Sequence, residues 1–154
     1  MNDGEVGKIK DCDRDGEYVT WTTGGSYAGA VFYRKGQFNA RQDCGVLKVK
    51  NEEINPKFLA YALRLQTSKF VNYACPIPKL GISKLAEIEL TFPPLEIQEK
   101  IADILFAFEK NVTILPKVFP QKLKCVKKQL DYYQNYLFDW VQKQKEGLNS
   151  TTLN

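Results

Sequence analysis

The sequence predicts an α+β fold: a small mixed or antiparallel sheet with one packed helix, followed by a long helical, coiled-coil-like extension. Residues 17–50 contain short runs of β-branched and aromatic residues, which are typical of strands. An amphipathic segment with helical spacing begins at Pro56. After the consecutive Pro93 and Pro94, apolar residues recur every three or four positions. We therefore expect a sheet domain at 1–92, a helical spacer at 93–145 and a flexible tail at 146–154.

The sheet is expected from four short segments. Three of them, "EYVTWTT" (17–23), "GAVFYRKG" (29–36) and "CGVLKVK" (44–50), combine β-branched or aromatic residues with turn residues at their boundaries. A last strand is expected at Ile88, Leu90 and Phe92, where apolar residues alternate with polar ones. The proline pair then ends the sheet, because proline does not continue a strand ladder.

The packed helix is expected over residues 56–72. Asn55 suits the N-cap, and Pro56 suits the first helical position, where its missing N–H leaves no hydrogen bond unmade. Leu59 and Leu63 lie four residues apart, so that face of the helix should pack on the sheet.

The spacer is expected to hold two helices, at 95–115 and 120–144, separated by Pro116 and Pro120. The second helix carries a narrow apolar stripe at heptad spacing, formed by Phe119, Leu123, Val126, Leu130, Tyr133, Leu137 and Trp140. Such a stripe needs another helix to cover it. Two partners fit the pattern: a second copy of the chain, or the first helix, if the second folds back on it.

Composition excludes several classes of function. Histidine is absent, which removes the Ser-His and Cys-His nucleophile pairs and the usual zinc ligands. The sequence also lacks the Gly-rich nucleotide-binding motifs, so we predict no catalytic residue, no metal and no cofactor. Its four cysteines lie far apart, and it shows neither a secretory signal nor a membrane-spanning run, which predicts a reduced, cytoplasmic protein without membrane contact. The net charge of +4 does not by itself identify a nucleic-acid binder.

Two helical motifs resemble those of a known family. "FPPLEIQEKIADIL" (92–105) supplies a proline pair followed by Leu, Glu and Gln, and "VKKQLDYYQNYLF" (126–138) supplies the Lys-Lys-Gln and Tyr-Tyr of a second helix. Together they are similar to the specificity subunits of type I restriction-modification enzymes, over roughly residues 17–141. The chain departs from the family pattern at Leu130, where an aromatic residue is usual, and at Gln134, where arginine is usual. Only 92 residues precede the prolines, fewer than in a complete recognition domain.

The resemblance implies a partial target-recognition domain at 1–92 and a conserved helical spacer at 93–145. It implies double-stranded DNA as a partner, together with a separate methyltransferase (modification) subunit that uses S-adenosylmethionine, and a restriction subunit as a further candidate. Family members usually contain two long conserved-region helices that pair antiparallel. This chain has one such helix, at 120–144, so the resemblance implies that it pairs with a second copy in a homodimer. The alternative function is an assembly fragment that acts through its helices without reading DNA.

If the chain recognises DNA, the contacts are expected from one polar segment and two lysines. The candidates are Arg34, Lys35, Gln37, Asn39, Arg41 and Gln42 within "YRKGQFNARQD" (33–43), with Lys79 and Lys84. Guanidinium groups suit guanine, side-chain amides suit adenine, and lysines suit phosphates. The alternative interpretation is a solvated hairpin and an ordinary surface. The Gly24–Gly25 pair is interpreted as a tight turn.

Overall fold

The structure, a computed structural model, describes residues 7, 10–118 and 123–151, with side chains described for 7, 10–110 and 128–143. The chain divides into two compact units, Met1–Leu90 and Thr91–Asn154. The first unit combines a three-stranded antiparallel sheet with helices, which confirms the predicted α+β class. The coiled-coil geometry of the extension stays a prediction.

The sheet consists of β1 (Glu17–Thr22), β2 (Val31–Lys35) and β3 (Cys44–Leu47), with β1 in the centre. Both neighbours pair antiparallel with β1, and Val19 lies opposite Tyr33 on one side and Leu47 on the other. Because side chains alternate along a strand, these three residues share one face of the sheet with Trp21. That face forms the hydrophobic core.

The helix α1 (Pro56–Phe70) covers this face of the sheet. It begins as the sequence predicts: the Asn55 side chain accepts hydrogen bonds from the backbone N–H groups of Lys57 and Phe58 at 2.9 and 3.0 Å, and Pro56 occupies the first turn. Its buried apolar residues belong to the same core cluster as the inward-facing strand residues. The predicted helix and its N-cap are therefore confirmed.

A buried threonine ties α1 to the turn between β1 and β2. The Thr67 hydroxyl donates to the Gly29 carbonyl oxygen at 2.7 Å, and Thr67 is only 1% exposed. Gly29 has a φ of +82°, and a Cβ placed there would lie 2.8 Å from the Val71 side chain. This turn and α1 therefore fit together at close range.

Thr67→Val should destabilise the first unit by about 1 to 3 kcal/mol, because it keeps the side-chain shape but leaves a buried carbonyl without its donor. Thr67→Ser keeps the donor and should cost less. Urea denaturation of both variants measures the difference. A larger loss for serine than for valine would contradict a role for the hydroxyl.

The predicted strand at Ile88, Leu90 and Phe92 is wrong. The chain forms a short helix, α2 (Ile82–Ala86), and then runs without strand pairing up to the next helix. Ile88 and Leu90 are partly buried against the core of the first unit. Alternating apolar residues report alternate burial, and an extended segment that packs on a core has this pattern without joining a sheet.

The second unit contains two long helices, α3 (Leu95–Val118) and α4 (Leu123–Thr151), which pack against each other. Contrary to the prediction, α3 does not stop at Pro116, which lies in its last turn. Phe119 and Pro120 fall outside the described residues, and the structure places the start of α4 at Leu123 rather than 120. α4 continues into the range predicted as a tail, and the flexibility of 146–154 stays a prediction.

The three- and four-residue spacing of Ile97, Ile101, Ile104 and Phe108 predicts an apolar stripe on α3, and the stripe that is buried is rotated from it by part of a turn. Ile101, Ala102 and Leu105 are buried, whereas Ile104 is 49% exposed. Gln98 is also buried, and its Nε2 donates to the Pro93 carbonyl oxygen at 2.8 Å. This hydrogen bond gives the proline pair and the glutamine of the sequence motif a common structural role at the start of α3.

On α4, the residues predicted for the dimer seam differ in burial within the single chain, and their role in a dimer stays a prediction. Leu130 and Leu137 are half-buried, and the fully buried neighbours on that face are Gln134 and Val141. Tyr133 and Trp140 are 43% and 44% exposed. The side chains of Leu123 and Val126, also assigned to the seam, lie outside those that the structure describes. α4 thus packs on α3 within the chain, which was one of the two partners left open.

Candidate nucleic-acid interface

The predicted DNA-contacting residues divide between two ends of the sheet. β1 runs antiparallel to both neighbours, so the end of β1 lies beside the starts of β2 and β3. Arg41 and Gln42 precede β3 at that end, whereas Lys35 ends β2 at the opposite end, opposite Glu17. The segment that looks continuous in sequence is therefore two sites in the fold.

Backbone hydrogen bonds join three chain segments at the first of these ends, which we call the loop end (residues 23–30, 41–43 and 72–80). The Thr23 N–H donates to the Asp43 carbonyl at 2.9 Å, and the Leu80 N–H donates to the Thr23 carbonyl at 2.8 Å. The Gly25 N–H donates to the Pro78 carbonyl at 3.0 Å. Residues 24–29 form the tight turn expected around the glycine pair. The loop end is thus a connected backbone framework.

Three of the predicted contact residues belong to the loop end: Arg41, Gln42 and Lys79. All three are exposed, and within the described part of the chain their side chains form no hydrogen bond or ion pair. Asp43 is also exposed there. Two cations and one amide therefore remain available to a ligand.

At the opposite end, several predicted contact residues bind other parts of the protein. The Lys35 ammonium lies 2.8 Å from the Glu17 carboxylate. The Asn39 amide donates to the Asp11 carbonyl at 3.0 Å and accepts a hydrogen bond from the Asp13 backbone N–H. With both halves of its amide engaged, Asn39 holds the preceding segment of the chain in place. Base reading by Asn39 would require breaking these bonds.

The remaining candidates differ in environment. The Arg34 guanidinium lies over the Phe32 ring, 5.1 Å from its centroid. Gln37, just after Lys35, is exposed. Lys84 in α2 lies 2.8 Å from the Glu87 carboxylate, and both side chains are exposed. The carboxylate offsets the positive charge of Lys84 and so weakens its attraction for a phosphate. Lys84 and Lys79 are therefore unequal candidates.

Charged residues of both signs gather at the opposite end. Asp11, Asp13 and Asp15 are exposed beside the β2 extension, because residue 14 bridges to residue 38. The Lys35 ammonium lowers the pKa of Glu17, which keeps that carboxyl ionised. Burial and the hydrogen bond with Glu17 raise the pKa of Tyr33 to about 12, so its phenol stays protonated as a donor. The carboxylates of this end are thus accompanied by cations, of which Arg14 pairs with Asp13 and Lys35 with Glu17.

Sequence reasoning did not select Tyr73, which lies in the 72–80 segment of the loop end and is exposed. Its proximity to the turn at 24–29 arises from contacts between segments some fifty residues apart in sequence. No local pattern around Tyr73 signals this proximity. In the part of the chain that the structure describes, no helix is sufficiently long and apolar to span a membrane.

Comparison with known proteins gives a consistent result. Residues 1–124 match the family described as Type I restriction modification DNA specificity domain. The type I restriction enzyme MpnII specificity subunit of Mycoplasma pneumoniae is 63% identical over 153 residues, which are 99% of this chain and 46% of that protein. A putative type I specificity subunit of the same organism is 64% identical, over 96% of this chain and 54% of its own length.

A crystal structure of the S subunit of a type I restriction-modification system from M. genitalium has a similar fold, with a TM-score of 0.59 and 24% sequence identity. The match covers 77% of this chain and 33% of that one. The chain spans about half the length of the two M. pneumoniae relatives. From the family match and these identities, the chain belongs to the family of type I restriction modification DNA specificity domains.

Proposed function

We propose that this chain is a DNA sequence-recognition part of a type I restriction-modification system, which holds the DNA target for a separate methyltransferase subunit. Family membership supports this proposal. The observation that assigns it to particular residues is the loop end, where the Arg41, Gln42 and Lys79 side chains are exposed and have no hydrogen-bond or ion-pair partner among the described residues. At the opposite end Lys35 and Asn39 bind other parts of the protein, which favours the loop end as the face that duplex DNA approaches.

Each of these side chains has a different task in the proposal. The Arg41 guanidinium suits the two acceptors of guanine in the major groove, and the Gln42 amide suits adenine. The Lys79 ammonium suits a phosphate, which positions the protein without reading sequence. Recognition of this kind makes and breaks no covalent bond. The proposed chain is therefore a non-catalytic component that needs no cofactor of its own.

The partners follow from the same proposal. Methylation requires a separate methyltransferase subunit, and the assembled enzyme adds a restriction subunit. We expect all of these in the cytoplasm, where the DNA is. Because the chain spans about half of its relatives, the activity of a whole specificity subunit requires a second recognition part.

We further propose that the second unit forms a homodimer through one side of the α3–α4 pair. Ile104, Tyr133 and Trp140 are each more than two-fifths exposed. The rings of Phe108 and Tyr133 lie 5.8 Å apart, which shows that these α3 and α4 residues border the same side. A two-fold dimer that covers this side would bring two recognition parts together.

DNA binding is tested by titrating the full chain against a random-sequence duplex at several salt concentrations. Lys79→Ala should lower the magnitude of the slope of log affinity against log salt by about 1, since it removes a cation that contacts a phosphate. Arg41→Ala removes a base contact and should weaken binding with a smaller change in slope. Lys84→Ala is the control, because its partner Glu87 already offsets its charge, and it should change the slope by less.

Absence of retention of the unaltered chain at micromolar protein would contradict DNA recognition, because nonspecific binders have a Kd of about 10⁻⁴ to 10⁻⁶ M. In that case a dimeric chain would instead act as an assembly fragment. Equal slopes for Lys79→Ala and Lys84→Ala would contradict the assignment of the phosphate contact to the loop end.

A further inference from the structure

Exposed apolar side chains are unevenly distributed over the first unit. Among its described residues, the large hydrophobic side chains with substantial exposure are Tyr27, Tyr73, Ile77 and Ile82, at 72%, 66%, 57% and 73%. Three of the four lie in the loop end, and the fourth follows two residues after it. Scattered exposed hydrophobic residues are ordinary, but a concentration in one joined set of loops marks a binding surface.

Hydrogen bonds hold both tyrosines in defined turns. Tyr27 lies in the turn closed by the Ala28 N–H to the Gly25 carbonyl at 3.0 Å, and its own carbonyl accepts from Ala30 at 2.9 Å. Tyr73 lies between Asn72 and Ala74, and the Asn72 side chain accepts a hydrogen bond from the Ala74 backbone N–H at 2.9 Å. Ordered backbone on either side reduces the entropy that each ring loses on binding.

The two turns belong to one framework. Both backbone groups of Asn72 pair with those of Lys79, at 2.8 and 3.1 Å, and Lys79 bridges in turn to Gly24. Two exposed aromatic rings are thus carried by segments that meet at an exposed cation.

The charges of the loop end favour DNA over a protein as the ligand. The charged residues of the loop end are Arg41, Lys79 and Asp43, so positive charge is in excess by one there. Aromatic rings beside cations are a recurring means of holding nucleic acid, because a ring stacks on a base while a cation contacts the phosphate. Apolar side chains also insert between base steps of a duplex and unstack them.

We propose that Tyr27 and Tyr73 are DNA-contacting residues that stack on bases of the bound duplex and locally unstack it, with Lys79 on the adjoining phosphate. This inference rests on the proposed DNA recognition and adds a mode of contact to it. Shape and deformability of the DNA would then contribute to recognition beside direct base contacts by Arg41 and Gln42.

The experiment measures the affinity of the full chain for a random-sequence duplex and the salt dependence of that affinity. Tyr27→Ala and Tyr73→Ala should each weaken binding about five- to a hundredfold, the range expected for loss of one stacked base. The salt slope should stay unchanged, because neither variant removes a charge. Tyr27→Phe and Tyr73→Phe keep the ring and should bind within about twofold of the unaltered chain.

Tyr132→Ala is the matched control, because Tyr132 is 63% exposed but lies on α4, and it should leave affinity unchanged. Thermal melting of each variant confirms that the first unit stays folded. If the unaltered chain binds DNA and the alanine variants bind equally well, the stacking proposal is overturned while DNA recognition stands. The same result is expected if Tyr27 and Tyr73 contact a partner protein instead of DNA. If the unaltered chain does not bind, both proposals fail.

Discussion

Gly45→Ala should unfold the first unit under conditions in which the unaltered chain stays folded. A Cβ at position 45 would lie 2.2 Å from a ring atom of Trp21, far inside the roughly 3.5 to 4.0 Å of a favourable carbon–carbon contact. Trp21 has no room to retreat, because it is 3% exposed and its Nε1 donates to the Leu80 carbonyl at 3.1 Å. We expect a loss of about 3 kcal/mol or more, at the upper end of overpacking costs.

Gly81→Ala is the control for this substitution. Its nearest heavy atom would be the Ser83 hydroxyl oxygen at 3.9 Å, an ordinary contact, so its effect should stay within about 1 kcal/mol. In a Trp21→Phe background the smaller ring leaves space, and Gly45→Ala should then cost less than it does beside tryptophan. Urea denaturation measures the unaltered chain, Gly45→Ala, Gly81→Ala, Trp21→Phe and the double variant Trp21→Phe with Gly45→Ala. Equal denaturation midpoints for the Gly45 and Gly81 variants would show that the sheet accommodates the methyl group.

Leu105→Asp should abolish the packing of α3 on α4, whereas Ile104→Asp, at the adjacent position, should leave it intact. Leu105 is fully buried, and a carboxylate there has no partner to offset its desolvation, so we expect a cost of several kcal/mol. Ile104 is half exposed, and an aspartate at its position remains in water. Circular dichroism should therefore show a loss of helix for the first variant and little change for the second.

The same pair of variants tests the proposed dimer. Light scattering should give twice the chain mass of 17.6 kDa for the unaltered protein and the single mass for Ile104→Asp, because a charge on the exposed side opposes its burial between two copies. A monomeric unaltered chain at micromolar concentration would contradict the dimer. A dimer that survives Ile104→Asp and a second substitution, Trp140→Asp, would place the interface elsewhere.

Local signals were sufficient for some elements. Asn55 and Pro56 specify the start of α1 through a side-chain cap and a fixed φ, which need no distant residue. The two long helices were also predicted, since each apolar repeat follows the helical period over several turns. The expected end of the first spacer helix at residue 115 was wrong, because Pro116 forgoes a single backbone hydrogen bond in the last turn and α3 continues through it to Val118.

The sequence alone did not determine which face of α3 is buried. In α3, both the stripe through Ile104 and the one through Leu105 have helical spacing, and only the packing of the folded chain, which buries Leu105 and exposes Ile104, decides between them. A similar ambiguity misassigned Ile88 and Leu90, because alternation fits a strand as well as an extended segment packed on a core. Periodicity identifies apolar faces without naming what covers them.

The sequence by itself determined the α+β class, the first helix and its cap, the two long helices after the prolines, and the family motifs. Only the tertiary structure decided which candidate contact residues lie together. It separated Lys35 and Asn39 from Arg41 and joined Arg41 to Lys79 and Tyr73. The physical reason is that an antiparallel sheet carries neighbours in sequence to opposite ends, while backbone hydrogen bonds between loops bring together residues that are distant in the chain.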